Sequence, residues 1–253
     1  MIIIPTLKLG YQNVPKIATN SWFHWLYGAL YGEQYDPRAH NAGSVVNIHL
    51  YFRGGRCPDA QKVRNTRSGV SKYQNYFRFA ITRDPVKRFL SMYSHLVVDV
   101  GELSAKSSAS EKLAQAGLTF DPDINDLVRD LDAYFECHPH LFHHGRPMTH
   151  FLGPDLSAFS RIADISEMDD VREEIMTFWA SEKLDNLVEH APALEQRQPG
   201  RRRQNVVPTM GLEVLTPESF EKLLVFYRED YENIPSVSLS RIRDEYKNRD
   251  AVR

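Results

Sequence analysis

Cysteine is nearly missing from this chain: Cys57 and Cys137 are the only two in 253 residues. They are too few for a disulfide scaffold and stand in no spacing that suits a metal site, so a reduced compartment is expected. No apolar run approaches the roughly 20 residues that a membrane helix needs. The opening Met1-Ile2-Ile3-Ile4-Pro5 lacks a basic region and ends its apolar run at once, so it does not read as a secretory signal. The expectation is a soluble, cytoplasmic protein. A dominant charge is also absent. Lys and Arg number 31 against 33 Asp and Glu, a net charge of −2, which gives no support to a general nucleic-acid or anionic-membrane binder. No internal repeat and no low-complexity linker divides the chain, so 1–253 reads as one domain, and 42 % hydrophobic residues suffice for a sizeable core. No glycine falls between Gly10 and Gly28 and no GxxxxGK[ST] occurs, which removes the best support for an ATP-binding loop.

What is present is an alternation of strand and helix signals. Leu7 to Val14 reads as a strand, and Trp22, Trp25, Leu26, Ala29 and Leu30 then recur at helical spacing up to Gly32. Residues 45–50 read as a short strand, 53–71 as a loop, and Tyr76 to Thr82 as an aromatic, β-branched strand. Asp84 caps a helix with Pro85 at its first position, and Asp121-Pro122 repeats that signal before a helix to about Phe135. Arg161 to Ile165 reads as a strand, Glu167 to Trp179 as a helix, and Thr216-Pro217-Glu218 as the start of an amphipathic helix reaching Tyr231. Strands alternating with helices imply an α/β fold of three layers, with a central, mainly parallel sheet flanked by helices.

Two strand-to-helix junctions combine a cation with hydroxyl groups, a setting that holds phosphate-like anions. In Val14-Pro15-Lys16-Ile17-Ala18-Thr19-Asn20-Ser21, Pro15 stiffens the turn, Lys16 offers a compact cation, and Thr19, Asn20 and Ser21 supply caps and donors. In the second, the Arg83 fork suits a terminal phosphate. Ser91 lies seven residues after Asp84, about two helical turns, so it shares a stripe with the cap. Basic residues gather elsewhere too: Arg53, Arg56, Lys62, Arg64, Arg67 and Lys72 share a stretch whose only acid is Asp59, and Arg201-Arg202-Arg203 form a second knot. Each reads either as a solvated loop or as a site for an anionic ligand. Five of the ten histidines fall between His138 and His150. His140 and His144 stand i, i+4, but Pro139, Gly145 and Pro147 argue against regular structure there, and no Cys or carboxylate completes a metal set. A surface or substrate-facing loop is the expectation. Trp22, Trp25 and Trp179 are candidates to stack on a sugar or adenine, although the first two lie on the apolar stripe of their helix.

The two junctions resemble those of sulfotransferase family 2, the carbohydrate sulfotransferases that use 3′-phosphoadenylyl sulfate (PAPS) and include the heparan 2-O-sulfotransferases. Val14 to Ser21 looks like that family's 5′-phosphosulfate loop, and Arg83-Asp84-Pro85 through Arg88, Ser91 and Tyr93 looks like its 3′-phosphate segment. Weaker echoes are His140 to Leu152, similar to a "PQ…FLG" region but with Arg146-Pro147-Met148 in place of Pro-Gln, and Tyr227, Asp230 and Tyr231, similar to a closing "Y…DY" helix.

The resemblance implies a P-loop-like fold and a PAPS-dependent O-sulfotransferase with PAPS as co-substrate, no metal, and a carbohydrate acceptor such as a polysaccharide, lipopolysaccharide or small glycoside. Pro15, Lys16, Ala18, Thr19, Asn20 and Ser21 would hold the sulfuryl-bearing end, and Arg83 and Ser91 the 3′-phosphate. Arg201, Arg202 and Arg203 would close over the donor. Arg53, Arg56, His140 and His144 are placed on the acceptor. Sulfuryl transfer runs between two in-line oxygens, so a cation belongs beside the departing oxygen; Lys16 is that candidate. His49 occupies a place like that of the family's catalytic histidine, with Glu33 and Asp36 as alternative bases. A kinase on a related fold and a non-catalytic nucleotide- or glycan-binding protein are the competing readings.

Overall fold

Three consecutive isoleucines, Ile2–Ile4, form strand β1, and all three are buried. The strand turns through Pro5–Leu7 and a left-handed Lys8 into β2, Leu9–Gln12, its antiparallel neighbour. The computed structural model describes residues 1–39, 46–65, 67–192 and 210–249. These form two compact units, Met1–Thr82 with the described part of His150–Gly200, and Arg83–Thr149 with the described part of Arg201–Arg253.

The first unit holds the sheet. Strands β3 (Gln61–Lys62), β4 (Phe77–Thr82) and β5 (Arg161–Asp164) complete the order β3-β1-β2-β4-β5. The centre is parallel, with Gln12 opposite Ala80 and Thr82 opposite Asp164, whereas β1 pairs antiparallel with both its neighbours. The chain is thus α/β, with a mixed sheet flanked by helices and parallel where β2, β4 and β5 meet. The antiparallel margin comes from Ile2–Ile4, a run too short to carry strand periodicity. Tyr11 stacks on Phe79 at 5.0 Å between ring centroids, and Trp22 of the Thr19–Tyr31 helix meets the same Phe79 at 4.8 Å. Trp179, on the Met168–Ser181 helix, stacks on Trp25 at 5.4 Å and donates its indole N–H to the Leu7 carbonyl at 2.7 Å. All three tryptophans are therefore core, which removes Trp179 as a stacking platform for a ligand.

Val45 of the strand expected over 45–50 lies outside the described residues, and 46–50 are not that strand. Asn47 accepts from the Leu50 N–H at 2.8 Å and caps a helix over Ile48–Arg53; a local cap outweighs the weak strand propensity. The loop expected over 53–71 likewise contains β3 and a turn of helix at Arg67–Val70.

The second unit is helical among its described residues. Pro85–Met92 continues into a π-helix over Tyr93–Asp99, and Phe89, Leu127, Tyr134, Leu141, Leu223 and Tyr227 fill the core. The helix expected from Asp121-Pro122 starts at Ile124, because Asp123 is the residue that caps Asn125 and Asp126; it breaks at Asp130 before Leu131–Cys137. Pro139 does not break structure. It occupies the first position of a Pro139–Gly145 helix, capped by the His138 ring nitrogen. Among the described residues, no helix is long and apolar enough to cross a membrane.

Candidate functional site

The first junction follows β2 directly. Val14, Pro15 and Ile17 are buried, while Lys16, at the turn itself, is half-buried. Lys16 (φ 68°) and Ala18 (φ 43°) both adopt the left-handed region, which costs a residue with a Cβ about 1–3 kcal/mol and persists where the surroundings impose it, often at functional sites. A left-handed residue running into a right-handed helix turns successive N–H groups to one side, as in anion-binding backbone nests. Ala18 is the N-cap, and no side chain caps the helix there, so the amides of its first turn are left for water or an anion. Thr19 was expected among the caps. Instead its hydroxyl donates backward to the Val14 carbonyl at 3.1 Å in a buried setting and so closes the loop. Asn20 is exposed and Ser21 half-buried.

His49 is half-buried in the Ile48–Arg53 helix and sets its ring edge-on to Phe23 at 5.3 Å. Phe23 lies one turn beyond Thr19, so His49 belongs to the surroundings of the first junction. Burial, reinforced by the charges of Arg53 and His24, lowers its pKa to about 4. The imidazole is neutral at pH 7, the state that a general base requires.

At the second junction β4 ends at Thr82, and Asp84 caps the next helix by accepting from the Lys87 N–H at 3.0 Å. This helix end already carries a carboxylate, unlike the first. Arg83 and Ser91, the two residues expected to meet the 3′-phosphate, are both half-buried. Arg88 of the same segment is fully buried. It donates to the carbonyls of His144 at 2.8 Å, Gly145 at 3.2 Å and Arg146, at the C-terminal end of the Pro139–Gly145 helix. Tyr93 donates to the Pro122 carbonyl at 3.0 Å and is buried.

The Asp84 carboxylate has a second partner, the Tyr231 hydroxyl, at 3.0 Å. Asp230, fully buried, accepts from the N–H groups of Met148 at 2.8 Å and Thr149 at 2.9 Å, and Tyr227 donates to the Gly145 carbonyl. The single helix expected to reach Tyr231 is two: Tyr227 stands at the break between Pro217–Phe226 and Arg228–Asn233, and Asp230 and Tyr231 follow it in the second. Their partners lie some 80 residues or more away and leave no local signal.

Among the remaining expected site residues, Arg53 and Arg56 are exposed. His140 bonds to the Glu102 carboxylate at 2.9 Å and meets the His144 ring at 4.7 Å. His138 accepts from the Leu141 N–H through Nδ1, which leaves Nε2 to carry a proton towards Glu102 at 3.4 Å. Among the described residues no group of three or more His, Cys, Asp and Glu is placed to hold a metal. Arg201, Arg202 and Arg203 lie outside the described residues.

The model of the Sulfotransferase family matches residues 1–233 of this chain. No curated protein matches it, and no solved structure does. The family match runs through both junctions, His49, and the segment carrying Tyr227, Asp230 and Tyr231: the chain belongs to the sulfotransferase family, whose chemistry is sulfuryl transfer.

Proposed function

We propose that this protein transfers the sulfuryl group of PAPS to a hydroxyl of a carbohydrate acceptor by in-line displacement. The observation that carries this reading is the first junction. There a lysine and an uncapped helix start meet in a turn with two left-handed residues and no Walker glycine. The family match over 1–233 supports treating the whole of 1–253 as one sulfotransferase domain. The two cysteines, both free thiols, fit a reduced, cytoplasmic setting.

In this mechanism Lys16 and the first-turn amides of the Thr19–Tyr31 helix receive the phosphosulfate end of the donor. The acceptor oxygen attacks sulfur while the bond from sulfur to the bridging oxygen breaks. Negative charge collects on that departing oxygen, and the Lys16 ammonium stabilises it. His49, neutral at working pH, takes the acceptor's proton. The products are a sulfate ester and adenosine 3′,5′-bisphosphate (PAP). Arg83 and Ser91 hold the 3′-phosphate through charge-assisted bonds, and Arg201, Arg202 and Arg203 are assigned to the donor. Arg53 and Arg56, exposed cations, are available to an anionic acceptor such as a uronate-bearing glycan; His140 and His144 are assigned to the same acceptor.

Thermal shift with PAP and with ATP, followed by a labelled-sulfate assay over polysaccharide, lipopolysaccharide and small glycosides, tests the proposal. PAP is expected to raise Tm more than ATP does, through binding linkage, and label is expected to appear on a glycan. ATP binding without PAP binding would point to a kinase; PAP binding without transfer to any hydroxyl acceptor would point to a binding protein.

A further inference from the structure

Asp84 lies in sequence between the two residues assigned to the 3′-phosphate, and it is a carboxylate in a largely desolvated place, where burial raises its pKa. One oxygen accepts from the Lys87 N–H at 3.0 Å and the other from the Tyr231 hydroxyl at 3.0 Å. The backbone bond fixes the start of the Pro85–Met92 helix. The tyrosine bond fixes the rotation of the carboxylate and ties that helix start to a residue 147 positions away. Tyr231 is itself well anchored, since the neighbouring Asp230 is held by the Met148 and Thr149 amides.

We propose that Tyr231 is a positioning residue for the 3′-phosphate end of the donor, acting through Asp84 to set where Arg83 and Ser91 present their side chains. The inference rests on the reading of Arg83 and Ser91 as 3′-phosphate ligands. Arg83 immediately precedes Asp84, so a carboxylate that swings free moves the peptide that carries the guanidinium. A guanidinium fork binds phosphate through two directed bonds and loses strength steeply with misalignment. Tyr231 thereby affects recognition of one phosphate without touching it.

The test compares the affinities of PAP and adenosine 5′-phosphate, which differ only in the 3′-phosphate, in the wild type, Tyr231→Phe and Arg83→Ala. The wild type is expected to prefer PAP, and Arg83→Ala to lose that preference. Tyr231→Phe is expected to reduce it about five-fold, the scale of one ordinary hydrogen bond, while binding adenosine 5′-phosphate as the wild type does. In turnover, its KM for PAPS should rise with kcat little changed. Asp84→Ser keeps a capping hydroxyl for Lys87 but leaves Tyr231 without its acceptor. It should lower the preference similarly, and it carries the test if Tyr231→Phe does not fold. A preference lost in Arg83→Ala but intact in Tyr231→Phe overturns the inference and leaves the reading of Arg83 standing. Equal weakening of both nucleotides in Tyr231→Phe reveals a purely structural brace and also overturns it. A wild type without any preference for PAP overturns both.

Discussion

The guanidinium of Arg88 donates to the His144 carbonyl at 2.8 Å from a position with no solvent exposure. The same fork reaches Gly145 and Arg146, so one cation satisfies three carbonyls where the Pro139–Gly145 helix leaves its own unpaired. A cation at a helix C-terminus is also favoured by the macrodipole. The buried Asp230 carboxylate lies within electrostatic reach of Arg88. Arg88 thus belongs to the frame of the second unit, although three residues later the same helix presents Ser91.

Arg88→Met is accordingly expected to destabilise the protein by roughly 3–5 kcal/mol, the scale for removing one partner from a buried charged set. The corresponding fall in Tm is on the order of 10 °C. Arg88→Lys should recover only part of this, because an ammonium cannot span three carbonyls as a planar fork does. Thermal melts of the two variants check both statements. A lysine variant as stable as the wild type would mean that charge alone, and not the fork, holds the Pro139–Gly145 end.

Lys16→Ala should fold normally and lose transfer. Alanine adopts the left-handed region no less readily than lysine does, so the turn at φ 68° keeps its backbone cost. What disappears is the charge that the proposed mechanism sets beside the departing oxygen, with an expected loss of about 10²–10³ in kcat. Labelled-sulfate turnover measured beside a melting curve separates the two effects. Unchanged turnover would remove Lys16 from the chemistry.

The legible parts of this structure were those with local signatures. Asp84-Pro85 capped its helix as expected, Gly32 ended the Thr19–Tyr31 helix in the left-handed region, and Thr216-Pro217 opened a helix, although it ends at Phe226 and not at Tyr231. Signals that compete locally were misread. Asn47 as a cap defeated Val46 and Ile48 as strand formers, and Pro139 started a helix where a proline more often ends one. The uncapped, left-handed start at Ala18 was hidden because Thr, Asn and Ser all follow it. Those residues are cap formers by type, but here they stand inside the helix rather than before it. Arg88, Asp230 and Tyr231 find their partners across long stretches of chain, so the family resemblance singled them out and only the fold assigned their bonds.

Gly153 is expected to resist substitution. Its φ of +81° suits glycine, and a Cβ built there would stand 2.7 Å from the Asn65 carbonyl oxygen, closer than real contacts allow. Asn65 in turn donates to the Leu152 carbonyl, so the backbone can shift little to make room. Gly153→Ala should cost on the order of 1–3 kcal/mol from strain alone, with overlap added. A denaturant midpoint equal to that of the wild type, at unchanged m-value, would show that the segment relaxes freely.

If His49 is the base of the proposed mechanism, it links acid sensitivity to catalysis. Its folded pKa of about 4 lies below its ordinary value of 6.5. Between those values the unfolded chain binds the proton and the folded protein does not, so stability contributed by the neutral imidazole is complete above about pH 6.5 and is lost as pH falls towards 4. His49→Gln, which cannot take up the proton, should lessen the loss of Tm over that window. The same ionisation should set the acid limb of kcat/KM in the free enzyme, with rate falling only as pH approaches 4 rather than 6.5. In His49→Gln that limb should disappear along with most of the turnover, about 10²-fold or more for a lost general base. Persistence of the acid limb in the variant would assign the base to another residue, with Glu33 and Asp36 the next to test. Loss of turnover together with the limb would place the proton transfer on His49.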